Sequence, residues 1–146
     1  MEEITIRDLI RAALRMRPDR IIVGEVRGEE TIDLLQALNT GHDGSLSTAH
    51  ANSAGDMLLR LETMALMGMA MPLEAIRRQI ASGIDIFVQL GRDRNKQRRL
   101  LEIAEVTGFA DGAVQLGKLY ERDWNSGRLC KKGELLHTEK LERAGI

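Results

Sequence analysis

The chain has 146 residues, 43% of them hydrophobic and 29% charged, which is the size and balance of one soluble globular domain with enough apolar material for a core. Its 21 basic and 22 acidic side chains nearly cancel, so no overall field points to nucleic acid, a membrane or an acidic substrate, and any steering has to be local. The lone Cys130 excludes an internal disulfide and a cysteine zinc site, and no apolar run approaches the ~18 residues of a membrane span.

Thr5 with Asp8 has capping-box spacing, and Ile6, Leu9, Ile10, Ala13 and Leu14 recur at helical period, so residues 5–16 are expected to form an amphipathic helix. Arg7, Arg11 and Arg15 share its other face, where a solvated role is expected and a phosphoryl clamp is the alternative. Pro18 forces Arg17 out of the α region, and RIIVG, residues 20–24, then reads as a strand buried on both faces. Glu29 and Glu30 suit the start of a helix over 29–40, with Ile32, Leu34, Leu35 and Leu38 on its apolar side and Gly41 as its C-cap. SLSTAH, 45–50, is the second strand. Ser53 with Asp56 opens a helix over 53–68, and Pro72 starts another to about Ser82. From Ile84 the period changes to two, so IDIFVQL and RRLLEIAEV form an antiparallel hairpin around RDRNK, with GAVQLGKLY as a third strand. Beyond residue 120 the sequence is loop-rich and ends in a short helix from Thr138. The start MEEITIRDLI has no signal pattern, which implies the cytosol.

Strand, helix and strand over 20–24, 29–40 and 45–49 make a βαβ unit whose strands are parallel and end at one edge, the place where open α/β sheets bind ligands. Glu25 follows the first strand and His50 ends the second, so two titratable groups are expected on one rim. Glu25 is either a carboxylate that orients or deprotonates a water, beside Mg²⁺, or the ion-pair partner of Arg27 or of an arginine in the first helix. His50 is either a ligand sensor or a histidine hydrogen-bonded into a polar loop, whereas His42, next to Gly41, suits a helix end. GAVQLGKL, 112–119, matches the first positions of G-x-x-x-x-G-K-[ST], but Leu119 replaces the magnesium-binding hydroxyl and the segment has a strand pattern, so it is set aside. The basic turn GRDRNKQRR carries five cations against Asp93 and is expected to be a solvated hairpin tip, with anionic lipid or nucleic acid as the alternative. Met57, Met64, Met67, Met69 and Met71 fill either the core or a flexible subunit interface.

RIIVGEVRG, GHDGSLSTAHANS, AIRRQIASGIDIFVQLGR and EIAEVTGF together resemble the ATPases that power type II and type IV secretion, and within them the CpaF branch serving Tad/Flp pili. The first segment is similar to their atypical Walker B and the second to their His box. The resemblance implies an α/β fold: an incomplete RecA-like P-loop NTPase domain, its parallel core lacking the Walker A strand, with an antiparallel hairpin and a helical C-terminal part. It divides the chain into the C-terminal portion of the ATPase domain, 1–120, and an extension, 121–146. By resemblance Glu25 is the Walker B glutamate, holding Mg²⁺ through water, and His50 reports the γ-phosphate, with Arg27 in the catalytic set and Thr48 and Asn52 supporting the nucleotide rim. ATP and Mg²⁺ are the implied cofactors. A homo-hexamer on the cytoplasmic face, docked on an inner-membrane secretion or pilus platform, is the implied assembly, and nucleic acid is a partner only in the conjugative case.

The family's phosphate loop, G-x-x-G-S-G-K-T-like, lies upstream of Walker B and is not among these 146 residues. The chain is therefore expected to be the C-terminal part of such an ATPase and inactive alone. The competing reading is a non-catalytic interaction module that docks on a secretion platform or on intact ATPase subunits. RecA-like strand order further implies that the SLSTAH strand leaves one edge unpaired.

Overall fold

Thr5 caps the first helix, α1 (Ile6–Arg15): its hydroxyl accepts from the Asp8 amide at 3.2 Å, and Asp8 Oδ2 accepts from the Thr5 amide at 3.0 Å. A computed structural model describes residues 3–146. After α1 come β1 (Ile22–Val23), α2 (Glu30–Leu38), β2 (Leu46–Ser47), α3 (Ala54–Gly68), α4 (Leu73–Gly83), the strands β3 (Ile86–Arg92), β4 (Arg98–Ala110), β5 (Ala113–Arg122) and β6 (Leu129–Lys131), and α5 (Glu139–Arg143). The expected α/β architecture is present, with a parallel pair, an antiparallel sheet and a helical C-terminal part. Arg17 takes φ 51°, so the residue before Pro18 does leave the right-handed helix, into the left-handed region.

β1 and β2 pair in parallel, Ile22 opposite Leu46 and Val23 opposite Ser47, but each is only two residues long. Hydroxyls take over where a longer ladder would continue: Ser45 Oγ accepts from the Ile21 amide at 2.8 Å, and Thr48 Oγ1 donates to the Gly24 carbonyl at 2.6 Å. The expectation that β1 is buried on both faces fails. Ile21 and Val23 face the core, yet Ile22 is 75% exposed and its neighbour Leu46 64%, because the helices cover only one face of the pair. Among the described residues β2 has β1 on one side and no strand on the other, as the strand-order argument implied.

α2, α3 and α4 enclose the core together with Ile10, Ile21, Val23 and Val26. Ile76 and Ile80 of α4 have no exposed surface, and burying such a side chain stabilises by about 1.5–3 kcal/mol. Two glycines permit the helices to approach. A Cβ at Gly68 would stand 2.3 Å from the Glu29 carbonyl, and one at Gly83 2.7 Å from Asn39 Nδ2. α2 stops at Leu38 rather than 40, where the Asn39 side-chain Nδ2 donates to the Leu35 carbonyl at 2.7 Å and to the Gln79 carbonyl at 3.0 Å, which stitches its end to α4. Pro72 is the residue before α4, one position earlier than expected.

The hairpin grows into a four-stranded antiparallel sheet in the order β3-β4-β5-β6, and α4 packs on β4 and β5. β5 extends to Arg122, and β6, which lies in the stretch expected to be loop, pairs with its end. Asp111 at φ 52° and Gly112 at φ 74° make the tight turn between β4 and β5, so GAVQLGKL is strand and turn, not a phosphate cradle. Arg7 and Arg11 are not simply a solvated face: both clamp the buried carboxylate of Asp33 on α2, at 2.6 and 3.1 Å, and are spent there rather than on a phosphoryl group. Of the methionines, Met57 and Met64 are core while Met67 and Met69 are exposed.

Candidate functional site

The two parallel strands exit at one edge, and cross-links hold their exit segments in register. Besides the Thr48 hydroxyl on the Gly24 carbonyl, the Val26 amide donates to the Thr48 carbonyl at 3.0 Å. This brings the residues singled out from the sequence together: His50 Nε2 lies 2.8 Å from Glu25 Oε1, and the Arg27 guanidinium contacts the other oxygen, Oε2. Glu25 is half-buried at 21% side-chain exposure, with the exposed His50 and Arg27 on either side. The Arg27 hydrogen bond is the main reason the Glu25 carboxyl sits below its ordinary range, and the same bond raises the Arg27 guanidinium. Glu25 is thus an anion at neutral pH. The His50 contact is close but off the line of a hydrogen bond, which leaves Glu25 Oε1, itself shielded from bulk solvent, without an in-line donor.

Asn52 is exposed and stands between two cavities. One, of about 470 Å³, is bordered by Arg27, His50, Asn52, Arg60, Met64 and Met67. The other, of about 440 Å³, opens between the α3 N-terminus and the antiparallel sheet and includes Asn52, Gln89 and Trp124. Gln89 Nε2 donates to the Ala51 carbonyl at 3.0 Å and so ties the His50 segment to β3. Neither Gln89 nor Arg60 stands out in the sequence. Arg60, four residues after Asp56 on the polar side of α3, was legible in principle, whereas Gln89 depends on a contact between distant elements. His42 is a turn residue, its Nδ1 3.0 Å from the Ala37 carbonyl.

One feature of α2 went unforeseen. The Glu30 side chain folds back on the loop between β1 and α2: Oε1 accepts from the Arg27 amide at 2.6 Å and the Gly28 amide at 3.2 Å. Burial pushes the Glu30 carboxyl up, and the backbone donors outweigh it and hold it below its ordinary range. The two loop amides are thus taken by a side chain of this chain. Among the described residues no group of three or more histidine, cysteine, aspartate or glutamate side chains could hold a metal ion. An Mg²⁺ at this rim would find Glu25 Oε1 as an acceptor, with no cluster of such ligands beside it among the described residues.

The model of the type II/IV secretion system protein family matches residues 1–131. A Mycobacterium tuberculosis protein named as a conjugal transfer protein is 47% identical over 121 residues, 83% of this chain and 34% of its own length. The type IV secretion system protein PtlH of Bordetella pertussis is 42% identical over 101 residues, 66% of this chain and 30% of its own. Among solved structures, the VirB11 ATPase of the Brucella suis type IV secretion system superposes at TM-score 0.66 and 33% identity, over 70% of this chain and 32% of that one. This chain spans about a third of the length of the relatives it matches.

Proposed function

We propose that this chain, which belongs to the type II/IV secretion system protein family, supplies the water-orienting and phosphate-sensing rim of a secretion ATPase. The observation that carries the reading is Glu25, ionised by Arg27 and with one shielded oxygen lacking an in-line donor, 2.8 Å from His50. An acceptor in that state is suited to hold the hydrogen of an attacking water, and phosphoryl transfer is accelerated mainly by such positioning and by charge neutralisation. Bound Mg-ATP would supply the phosphoryl group and the neutralising metal charge. His50, at 83% side-chain exposure, is free to turn toward an anion that enters the rim, and Arg27 would add positive charge there once it leaves Glu25. Thr48 holds the two exit segments at fixed spacing, and Asn52 borders the cavity beside them.

The phosphates need a cradle, and the loop amides of Arg27 and Gly28 after β1 already serve the Glu30 carboxylate. In this reading the cradle comes from a phosphate loop outside these 146 residues, and the working unit is a homo-hexamer peripheral to the inner face of a membrane, on a secretion or pilus platform. The CpaF-like motifs favour Tad/Flp pili as the system served. A non-catalytic docking role is the second reading, and the Glu25–Arg27 ion pair, which an ordinary structural role also explains, is the observation in its favour.

The deciding experiment is a nucleotide titration with turnover. The chain alone should neither bind nor hydrolyse ATP. Joined to a phosphate-loop half it should do both, with Glu25→Gln abolishing turnover and sparing binding. Hydrolysis by residues 1–146 alone that Glu25→Gln removes would overturn the division of labour, and turnover in the joined protein untouched by Glu25→Gln would overturn the role of Glu25.

A further inference from the structure

β3 is an edge strand, with β4 on one side and no strand on the other among the described residues. Its side chains alternate, and one row points outward: Ile86 at 38%, Val88 at 57% and Leu90 at 64% exposure, followed in the same row by Arg92. The register places half-buried Ile103 and Leu100 of β4 beside Val88 and Leu90, and Arg98 opposite Arg92. The apolar row therefore runs straight into the hairpin tip.

That tip is strongly cationic, and the structure leaves its charge free. Asp93 is its only acid, and its carboxylate is consumed by the Arg99 guanidinium at 3.0 Å and the amides of Asn95 and Gln97 at 2.9 Å. Arg92, Arg94, Lys96 and Arg98 are all exposed and form no ion pair among the described residues. Among the described residues only Arg99 of the five cations is matched by an acid, in a chain whose net charge is −1.

We infer that the outward row Ile86–Val88–Leu90 and the tip cations Arg92, Arg94, Lys96 and Arg98 form a docking surface for an anionic lipid bilayer. Long cationic side chains reach phosphate headgroups while short apolar ones enter the boundary just beneath them, and the two chemistries have to lie side by side for this to work. Here they share one sheet face. A nucleic-acid backbone would use the cations but not the three apolar residues, and the tip carries no aromatic to stack on a base. An acidic peptide would want a cleft, whereas the tip is a convex turn and both cavities described above lie elsewhere. The outward row alternates with Gln89, whose side chain turns the other way to the Ala51 carbonyl beside His50, so membrane contact and nucleotide chemistry would use opposite faces of β3.

The test is cosedimentation of the intact chain, without nucleotide, with vesicles of pure phosphatidylcholine or of phosphatidylcholine containing phosphatidylglycerol. Binding should require the anionic lipid and fall steeply with salt. Arg94→Glu with Lys96→Glu should weaken partitioning by at least about tenfold. Leu90→Ser with Val88→Ser should weaken it several-fold at unchanged salt slope, and circular dichroism should show both variants folded. Absence of binding, equal binding to neutral and anionic vesicles, or indifference to the tip charges would each overturn the proposal. So would retention on DNA with the same salt slope while vesicles retain nothing. None of these outcomes bears on ATP binding, so the nucleotide reading stands or falls separately.

Discussion

Glu25 Oε1 and His50 Nε2 lie 2.8 Å apart although a whole helix separates them in sequence, because each sits just beyond the end of one of two adjacent parallel strands. His50 and Arg27 are exposed on either side of Glu25, and ion pairs so open to solvent contribute little to holding a fold. Glu25→Gln should leave the urea midpoint of the chain essentially unchanged. A large loss of stability in that variant would mark Glu25 as structural.

The spacing of that pair is set by its neighbours. Thr48→Val deletes the hydroxyl that donates to the Gly24 carbonyl and should cost about 1 kcal/mol, the net worth of one such bond. Gln89→Ala, which frees the Ala51 carbonyl, should raise amide exchange around residues 48–53 with little change in global stability. Hydrogen exchange by mass spectrometry distinguishes the two.

Glu105 has only 2% of its surface exposed and holds the C-terminal segment: it accepts from the amides of Leu136 and His137 at 2.9 and 2.8 Å and contacts His137 Nδ1 at 2.9 Å. Burial pushes the carboxyl up, yet these donors outweigh it and keep it below its ordinary value of 4.5. A carboxyl depressed in the folded state stabilises above its unfolded pKa, and that contribution is lost as pH falls through the folded pKa. The tail should therefore stay docked at neutral pH and loosen only well below pH 4.5, and Glu105→Ala should release it at all pH values at a cost of about 1–2 kcal/mol. Protease accessibility of residues 134–146 as a function of pH reads this directly.

Helix packing makes a sharper demand. Gly68→Ala places a Cβ 2.3 Å from the backbone carbonyl of Glu29, where no side chain can swing aside, and should destabilise by about 1–3 kcal/mol. Gly24, at the head of the functional rim, has no neighbour within 4 Å of a built Cβ, so Gly24→Ala should fold normally. Chemical denaturation of the two variants tests whether glycine is needed at each position for space.

Local chemistry made much of this legible. The Thr5 and Ser53 caps and the period-two hairpin follow from signals within a few residues, and the strand, helix and strand order adds the parallel pair, which suffices to predict that Glu25 and His50 share an edge. What escaped depends on which surfaces other elements reach. The run RIIVG has the same composition whether one face or both are covered, so the exposure of Ile22 could not be read from it. The clamp of Arg7 and Arg11 on Asp33 and the hold of Glu30 on the Arg27 and Gly28 amides look in sequence like ordinary helix-surface charges. β6 is three residues long, too short to show a period.

The open edge of β2 leads to the last prediction. Ile22 and Leu46 are paired across β1 and β2 and both face solvent, beside a strand edge with no partner among the described residues. An apolar pair next to unpaired amides and carbonyls is a template for another strand, so the chain should self-associate as its concentration rises. A lysine at the edge opposes such pairing through charge and desolvation, and Leu46 lies outside the core, so Leu46→Lys should shift the equilibrium toward monomer without unfolding the protein. Sedimentation velocity over a concentration series of the two proteins decides it: wild-type chain that stays monomeric throughout, or association that Leu46→Lys does not weaken, would show that this edge is protected by something other than a partner strand.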